Sequence, residues 1–322
     1  MNEFDALKAG FCHVADARLV VLAPGSDEAR AVEPYFNRYG LMPLWRQARQ
    51  VYAGFIESGQ FSLWCQVWAP PNPVGTAFVV HGYFDHLGLY RHLLALLLAR
   101  GWQVVLWDLP GHGLSSGERA AIDDFETYRH CLHVVQATLV AQSLAPSPWV
   151  GIGQSTGAAV LATDALSLQT DSPWAGLALL APLVRPWGWH QASALHRLVS
   201  PFVRAVPRRY RPNSTDAAFV TFLRQQDPLQ PGQLSLAWVS AMRRWMPKLL
   251  AQPPSSLPVL MLQGEQDHTV DWPYNLGVLA KKFPRAEVYR HPLARHHLVN
   301  EAEPIREALF ARLMGFLDDR VV

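Results

Sequence analysis

The sequence predicts an α/β fold with a mostly parallel central sheet, helices on both faces and an inserted helical cap. Three features carry that reading. From Thr76 onward, short Val/Leu/Ile-rich runs alternate with longer amphipathic stretches, the rhythm of strand–helix–strand units. The short runs are continuously apolar, which suits strands covered on both faces. The stretch 183–250 separates two consecutive strand candidates by far more chain than a crossover helix needs, so it reads as an insertion.

Taken in order, residues 1–50 are of mixed character and form an N-terminal extension to which the sequence assigns no function. The runs 51–56 and 61–68, divided by Glu57-Ser58-Gly59-Gln60, predict an antiparallel hairpin at one edge of the sheet. Further strands fall at 76–81, 103–108, 149–153, 176–181, 258–263 and 286–289, each followed by glycine, proline or polar residues. Helices fill the gaps at 90–100, 123–143, 156–168, 273–283 and 304–317. In the last of these, Ile305, Leu309, Leu313 and Phe316 recur at three- and four-residue spacing, which makes one apolar stripe for packing on the sheet. The core is therefore expected from 51–182 and 251–322, with 183–250 as the cap.

Composition narrows the function classes. At 322 residues, half of them hydrophobic and only 17% charged, the chain has the material for one large core and is a poor fit to disorder. A net charge of +2, from 28 basic and 26 acidic residues, supplies no global field for nucleic acid, so no nucleic-acid partner is expected. Cys12, Cys65 and Cys131 are far apart and lack zinc-ligand spacing, which argues against a disulfide scaffold and a structural metal. The first twenty residues carry charges where a secretion signal would be apolar. The most apolar run, 93–98, is far short of the roughly 20 residues that cross a bilayer. A soluble, cytoplasmic protein without a transmembrane segment is the expectation.

The chemistry concentrates in four places. Gly153-Gln154-Ser155-Thr156-Gly157 follows a strand and opens a helix, the context in which G-x-S-x-G forms a tight turn that presents the serine. Ser155 is the candidate nucleophile. The Thr156 N–H, at the helix N-terminus, would point at the oxyanion that forms on attack. A serine hydroxyl needs an adjacent base, and the base needs an acid to fix its tautomer. Past the strand 258–263, Gly264-Glu265-Gln266-Asp267 places a carboxylate where open α/β sheets build their sites. Asp267 is the candidate acid, with Asp271 and Glu265 as alternatives. After the next strand come His296 and His297, either of which could be the base. Gly82, ending the apolar run 78–81, leaves the Tyr83 N–H available as a second oxyanion donor.

Five segments together resemble the α/β-hydrolase superfamily, and most of all its monoacylglycerol lipase and lysophospholipase branch, often labelled serine aminopeptidase S33-like. They are His81-Gly82-Tyr83-Phe84-Asp85-His86-Leu87-Gly88-Leu89-Tyr90, Asp108-Leu109-Pro110-Gly111-His112-Gly113-Leu114-Ser115-Ser116-Gly117, the serine turn, Gly264 to Asp267, and Ala294-Arg295-His296-His297-Leu298-Val299-Asn300-Glu301. The resemblance implies the α/β-hydrolase fold. It aligns His296 with the base and puts His297 where glutamate is usual. Gln154 and Thr156 stand where histidine and methionine are common, which changes polarity without removing a catalytic atom. The 108–117 loop is structural in that family. An aspartate-nucleophile hydrolase is disfavoured by Ser155. A metal hydrolase is disfavoured by the lack of HExxH, although His81, His86 and His92, or His130 and His133, could be grouped as ligands.

The implied activity is a serine hydrolase acting on carboxylic esters of lipid type, a monoacylglycerol or lysophospholipid, with no cofactor or metal. Thioester or amide hydrolysis by the same residues, and a non-catalytic binding module on this fold, are the alternatives. The cap carries arginines, among them Arg185, Arg197, Arg204, Arg208, Arg209 and Arg211, together with Trp187, Trp189, Phe202, Trp238 and Trp245. Such a lid suits an amphiphilic substrate or peripheral contact with a membrane surface. Equally, the aromatics could be the core of a small helical subdomain from which the arginines reach solvent.

Overall fold

The computed structural model describes residues 4–11 and 18–320, so Cys12 lies outside the described residues. The chain begins with α1 (Asp5–Gly10), β1 (Val20–Val21), α2 (Asp27–Arg38) and α3 (Met42–Gln47). The hairpin β2 (Gln50–Ser58) and β3 (Phe61–Ala69) follows. Then come β4 (Thr76–Val80), α4 (Arg91–Ala99), β5 (Gln103–Trp107), α5 (Phe125–Ala141), β6 (Trp149–Gln154), α6 (Thr156–Leu168) and β7 (Trp174–Leu180). Between β7 and the next strand of the main sheet lie α7 (Trp189–Val199), β8 (Ala205–Pro207), α8 (Ala217–Gln225), β9 (Gln233–Ser235) and α9 (Leu236–Ala251). The chain closes with β10 (Val259–Gly264), α10 (Trp272–Lys282), β11 (Glu287–His291) and α11 (Glu303–Asp318).

Nine strands form one sheet in the order β1-β2-β3-β5-β4-β6-β7-β10-β11. From β5 to β11 every neighbouring pair is parallel, while β1, β2 and β3 run antiparallel. The predicted hairpin is present, but it is not the edge: Val20 and Val21 pair with Ala53 and Tyr52 outside it. A strand of two residues has no periodicity for a sequence reading to detect. The insertion is likewise not purely helical, since β8 and β9 pair as an antiparallel ribbon.

Alternation along the strands sorts the core into two faces. Ala77 and Val79 of β4 pack in one cluster with Leu93, Leu94 and Leu97 of α4 and Leu309 and Leu313 of α11. Phe78 and Val80 pack in the other, with Leu132 and Val135 of α5 and Leu161 and Ala165 of α6. The N-terminal segment joins the first cluster: Val32, Tyr35 and Phe36 of α2 are fully buried with Trp64 and Trp68 of β3. This layering sets the site's position. The chain passes from β4 to β5 on one side and returns to β6 on the other, so α4 and α6 lie on opposite faces and leave a crevice beyond the ends of β4 and β6.

Candidate active site

At the end of β6 the backbone turns sharply into α6. Ser155 sits at the corner with φ 53° and ψ −108°, a conformation that non-glycine residues avoid. The turn closes only because its neighbours are glycine: a β-carbon on Gly153 would stand 2.5 Å from Ala158 N, and one on Gly157 would stand 2.0 Å from Val80 O. Ser155 N–H is tied to Leu180 O at 2.8 Å, which anchors the corner to β7. The loop after β4 comes up against it, since a β-carbon on Gly82 would meet Ser155 Cβ at 3.4 Å. Neither the Tyr83 nor the Thr156 amide N–H has a hydrogen-bond acceptor among the described residues. Tyr83 itself is fixed by its hydroxyl, which donates to Ala120 O at 2.7 Å, and by its ring, stacked on Trp238 with centroids 3.9 Å apart.

Asp267 and His296 meet from two different loops. His296 Nδ1 lies 2.7 Å from Asp267 Oδ2. The carboxylate is held from several sides: Oδ1 accepts from the N–H of Thr269 at 2.7 Å and Val270 at 3.2 Å, and Oδ2 also accepts from Gln263 Nε2 at 3.1 Å. Burial pushes the Asp267 carboxyl up, but the facing His296, its hydrogen bond and the Thr269 N–H outweigh this and hold it below the usual carboxylate range. The reciprocal effect acts on His296, where burial lowers the pKa and Asp267 raises it further, to a net value above the ordinary one. An ionised carboxylate only accepts, so Nδ1 carries the proton and Nε2 is the basic nitrogen. The alternatives are engaged elsewhere: Asp271 pairs with Arg185 at 2.7 Å and Glu265 with Arg290 at 3.6 Å.

Ser155, Thr156, Gly82, Tyr83 and His296 all line one cavity of about 380 Å³. That is a volume typical of small-molecule sites. A second cavity of about 230 Å³, bordered by Tyr39, His92, Phe219 and Phe222, contains none of these residues. The aromatic residues of the insertion divide between the two roles considered above. Trp187, Trp189 and Trp238 line the larger cavity, Trp245 is buried against Phe125, and Phe202 is 87% exposed.

Several supporting residues carry no motif. Buried Gln154 donates from Nε2 to the carbonyl of His296 at 2.8 Å, tying the serine turn to the histidine loop. Asn213 O, in the insertion, accepts from the N–H of both His296 and His297, at 3.0 and 2.7 Å. His297 does not face Asp267; its Nε2 lies 3.3 Å from Asp85 Oδ2, and Asp85 also accepts from Tyr90 OH at 3.1 Å. Tyr90 OH in turn accepts from Gly82 N–H at 3.2 Å. His81 and His86 have structural partners, the Leu109 N–H and the Asp227 carboxylate. The departure of Gln154 and His297 from the common family residues was visible in the sequence; their partners were not, because each lies more than a hundred residues away in the chain.

Comparison with known proteins identifies the family of this fold. The family model described as serine aminopeptidase, S33, matches residues 71–303. The chain is 29% identical to the monoglyceride lipase of Rattus norvegicus over 228 residues, which is 66% of this chain and 72% of that protein. It is 27% identical to the Homo sapiens monoglyceride lipase, covering 81% of this chain and 88% of the relative. Among solved structures, a soluble variant of the Saccharomyces cerevisiae monoglyceride lipase superposes with a TM-score of 0.71 at 17% identity, covering 83% of this chain and 95% of that one. The Paleococcus ferrophilus monoacylglycerol lipase gives 0.67 at 20% identity over 80% of this chain and 99% of that one. With the fold, the order of its motifs and the family match in agreement, the chain belongs to the serine aminopeptidase S33 family of α/β hydrolases, in its monoacylglycerol lipase-like branch.

Proposed function

We propose that this chain is a serine hydrolase of carboxylic esters of lipid type, monoacylglycerols or lysophospholipids, working through an acyl-enzyme on Ser155. The observation that carries the reading is the 2.7 Å contact of Asp267 with His296, opening into the cavity that also holds the strained Ser155 turn. In this reading Ser155 Oγ attacks the acyl carbon while His296 Nε2 takes its proton, and Asp267 keeps Nδ1–H in place. The Tyr83 and Thr156 amides receive the oxyanion. The alcohol departs with the proton from His296, and a water, deprotonated by the same nitrogen, releases the acid. Every step uses side chains, backbone amides and water.

Within this proposal residues 183–250 act as the cap over the site, set on a core of 51–182 and 251–322, and 1–50 form an N-terminal extension whose described residues, 4–11 and 18–50, pack on that core. Trp187, Trp189, Trp238 and Met242 offer apolar wall for an acyl chain. The outer side of the cap, where Leu195, Leu198 and Phe202 are exposed beside Arg197 and Arg204, is proposed to rest on the lipid surface that holds the substrate. The test is hydrolysis of p-nitrophenyl esters from acetate to palmitate by wild type and Ser155→Ala. The variant is expected to lose roughly 10⁴-fold or more in kcat while keeping its far-UV circular dichroism. Retained turnover in the variant would remove Ser155 from the mechanism.

A further inference from the structure

The cavity at Ser155 has two chemically distinct walls. One is apolar, built from Leu183, Trp189, Leu234, Trp238, Val239 and Met242. The other is basic, built from Arg208, Arg209 and Arg211 on the segment that leaves β8. Arg208 is the fixed member. Its guanidinium stacks 4.1 Å from the ring centroid of Phe84 and 4.5 Å from that of Tyr210, and donates to Gln230 Oε1 at 2.6 Å and Pro231 O at 3.4 Å. These contacts orient the group without an ion pair, and Asp85 and Asp227 act on it only from beyond ion-pair distance. No carboxylate lies within ion-pair distance of Arg208, Arg209 or Arg211 among the described residues. Asp85, the carboxylate on the cavity wall, is taken up by His297 and Tyr90. Burial pulls the Arg208 pKa down, a sign that the cation sits in a poorly solvated place. An arginine stays ionised there regardless, so the site holds positive charge that a ligand can satisfy.

The position of this wall decides which part of the substrate it meets. Arg208 stacks on Phe84, next to the oxyanion candidate Tyr83, and five residues on Asn213 O receives the N–H groups of His296 and His297. The basic segment therefore runs from the oxyanion loop to the candidate base. His296 must hand its proton to the leaving alcohol, so the alcohol part of the ester departs beside this segment. We propose that Arg208, Arg209 and Arg211 bind a phosphate carried on the alcohol part, which makes a monoacyl glycerophosphate the preferred substrate. This deepens the serine-hydrolase reading and rests on it. Guanidinium groups suit a phosphate because their planar donors match its oxygens in pairs, and a dianion calls for more than one. The phosphate keeps all its bonds. Ser155 Oγ bonds to the acyl carbon, the bond from that carbon to the glycerol oxygen breaks, and glycerol phosphate leaves with the proton from His296 Nε2. Water then frees the fatty acid.

The experiment compares kcat/KM for 1-octanoyl-glycerol 3-phosphate and 1-octanoyl-glycerol, chain lengths that keep both in solution and away from any lipid surface. Each enzyme is also labelled with a fluorophosphonate probe. Wild type is expected to favour the phosphate ester by about tenfold or more, the scale of one charge-assisted hydrogen bond. Arg208→Gln is expected to erase that ratio, Arg208→Lys to keep part of it, and Arg211→Gln, at an exposed position, to reduce it several-fold. The ratio is taken on one enzyme at a time, so a general loss of activity in a variant does not imitate the result. A labelled, ester-cleaving wild type with no phosphate preference, or a preference that survives both glutamine variants, overturns this inference alone. A wild type that is neither labelled nor active on either ester overturns the serine-hydrolase reading and this inference with it.

Discussion

In the proposed mechanism His296 accepts the Ser155 proton only while its Nε2 is free, and its surroundings set the pH at which that holds. Burial favours the neutral ring; the Asp267 carboxylate 2.7 Å away favours the charged one and prevails, so the pKa lies above the ordinary 6.5. The sign follows directly. Below that pKa the imidazolium cannot act as base, so kcat/KM is expected to climb with pH along a single ionisation whose midpoint is above 6.5. Asp267→Asn removes the attraction, so the midpoint is expected to move down, while the loss of the correct tautomer lowers kcat by about 10⁴-fold. A pH–rate profile of both proteins checks this, and an unmoved midpoint would dissociate the pair from the chemistry. At this scale the motif residues were legible from the sequence because each stands in a short local pattern: glycine around Ser155, a strand end before Asp267. Gln154, Gln263 and Asn213 were not, because what they do depends on contacts with distant loops and no local spacing encodes it.

The strands place these residues, and a buried ion pair is among the contacts that pin the insertion to them. Asp227, between α8 and β9, reaches His86 Nε2 at 3.0 Å and accepts from Tyr39 OH at 2.8 Å, so the insertion, the loop after β4 and the end of α2 meet at one carboxylate. Both side chains of the ion pair are fully buried. Removing one partner leaves the other charged and unmatched, so Asp227→Ala is expected to cost about 3 kcal/mol in urea denaturation near pH 5.5. The pH dependence has two limits. Burial pushes Asp227 up, but His86 outweighs it and brings the carboxyl from 3.8 to about 2, so its contribution is complete above 3.8 and disappears as pH falls through 2. His86 is raised by Asp227 against its own burial, so its contribution is complete below 6.5 and disappears as pH rises through the raised value. The gap between wild type and variant should therefore be widest between these limits and narrow on either side. A gap that stays flat with pH would mean the contact is not ionic. The same elements mark what sequence could convey. Five of the six parallel strands were visible as apolar runs, whereas β11 is mixed and largely exposed, and the start of α6 at Thr156 was marked by the serine turn before it. The strands β1, β8 and β9, two or three residues each, exist only because a partner strand is present.

The whole molecule has almost no net charge, yet its charge and its apolar exposure are unevenly placed. The helices α1, α2 and α11 bury apolar side chains in the core, whereas α7 buries only His196 and turns Leu195 and Leu198 outward, 61% and 72% exposed. Phe202, just beyond it, is exposed as well, and Arg197 and Arg204 flank the group. Among the described residues no helix is long and apolar enough to cross a membrane. Under the proposed function this apolar, basic patch rests on the surface of a bilayer. The patch and the cavity belong to the same insertion, so a lipid surface under α7 would bring aggregated substrate to the mouth lined by Trp187 and Trp189. Transferring an apolar side chain out of water contributes about 1.5 kcal/mol or more, so replacing two should weaken partitioning by at least about a hundredfold. Leu198→Glu with Phe202→Glu is therefore expected to abolish co-sedimentation with phosphatidylglycerol vesicles and to slow hydrolysis of a long-chain monoacylglycerol dispersed in them. Turnover of a soluble butyrate ester, which needs no surface, is the reference against which that loss is read. Vesicle binding as strong as that of the wild type would show that this face has another use.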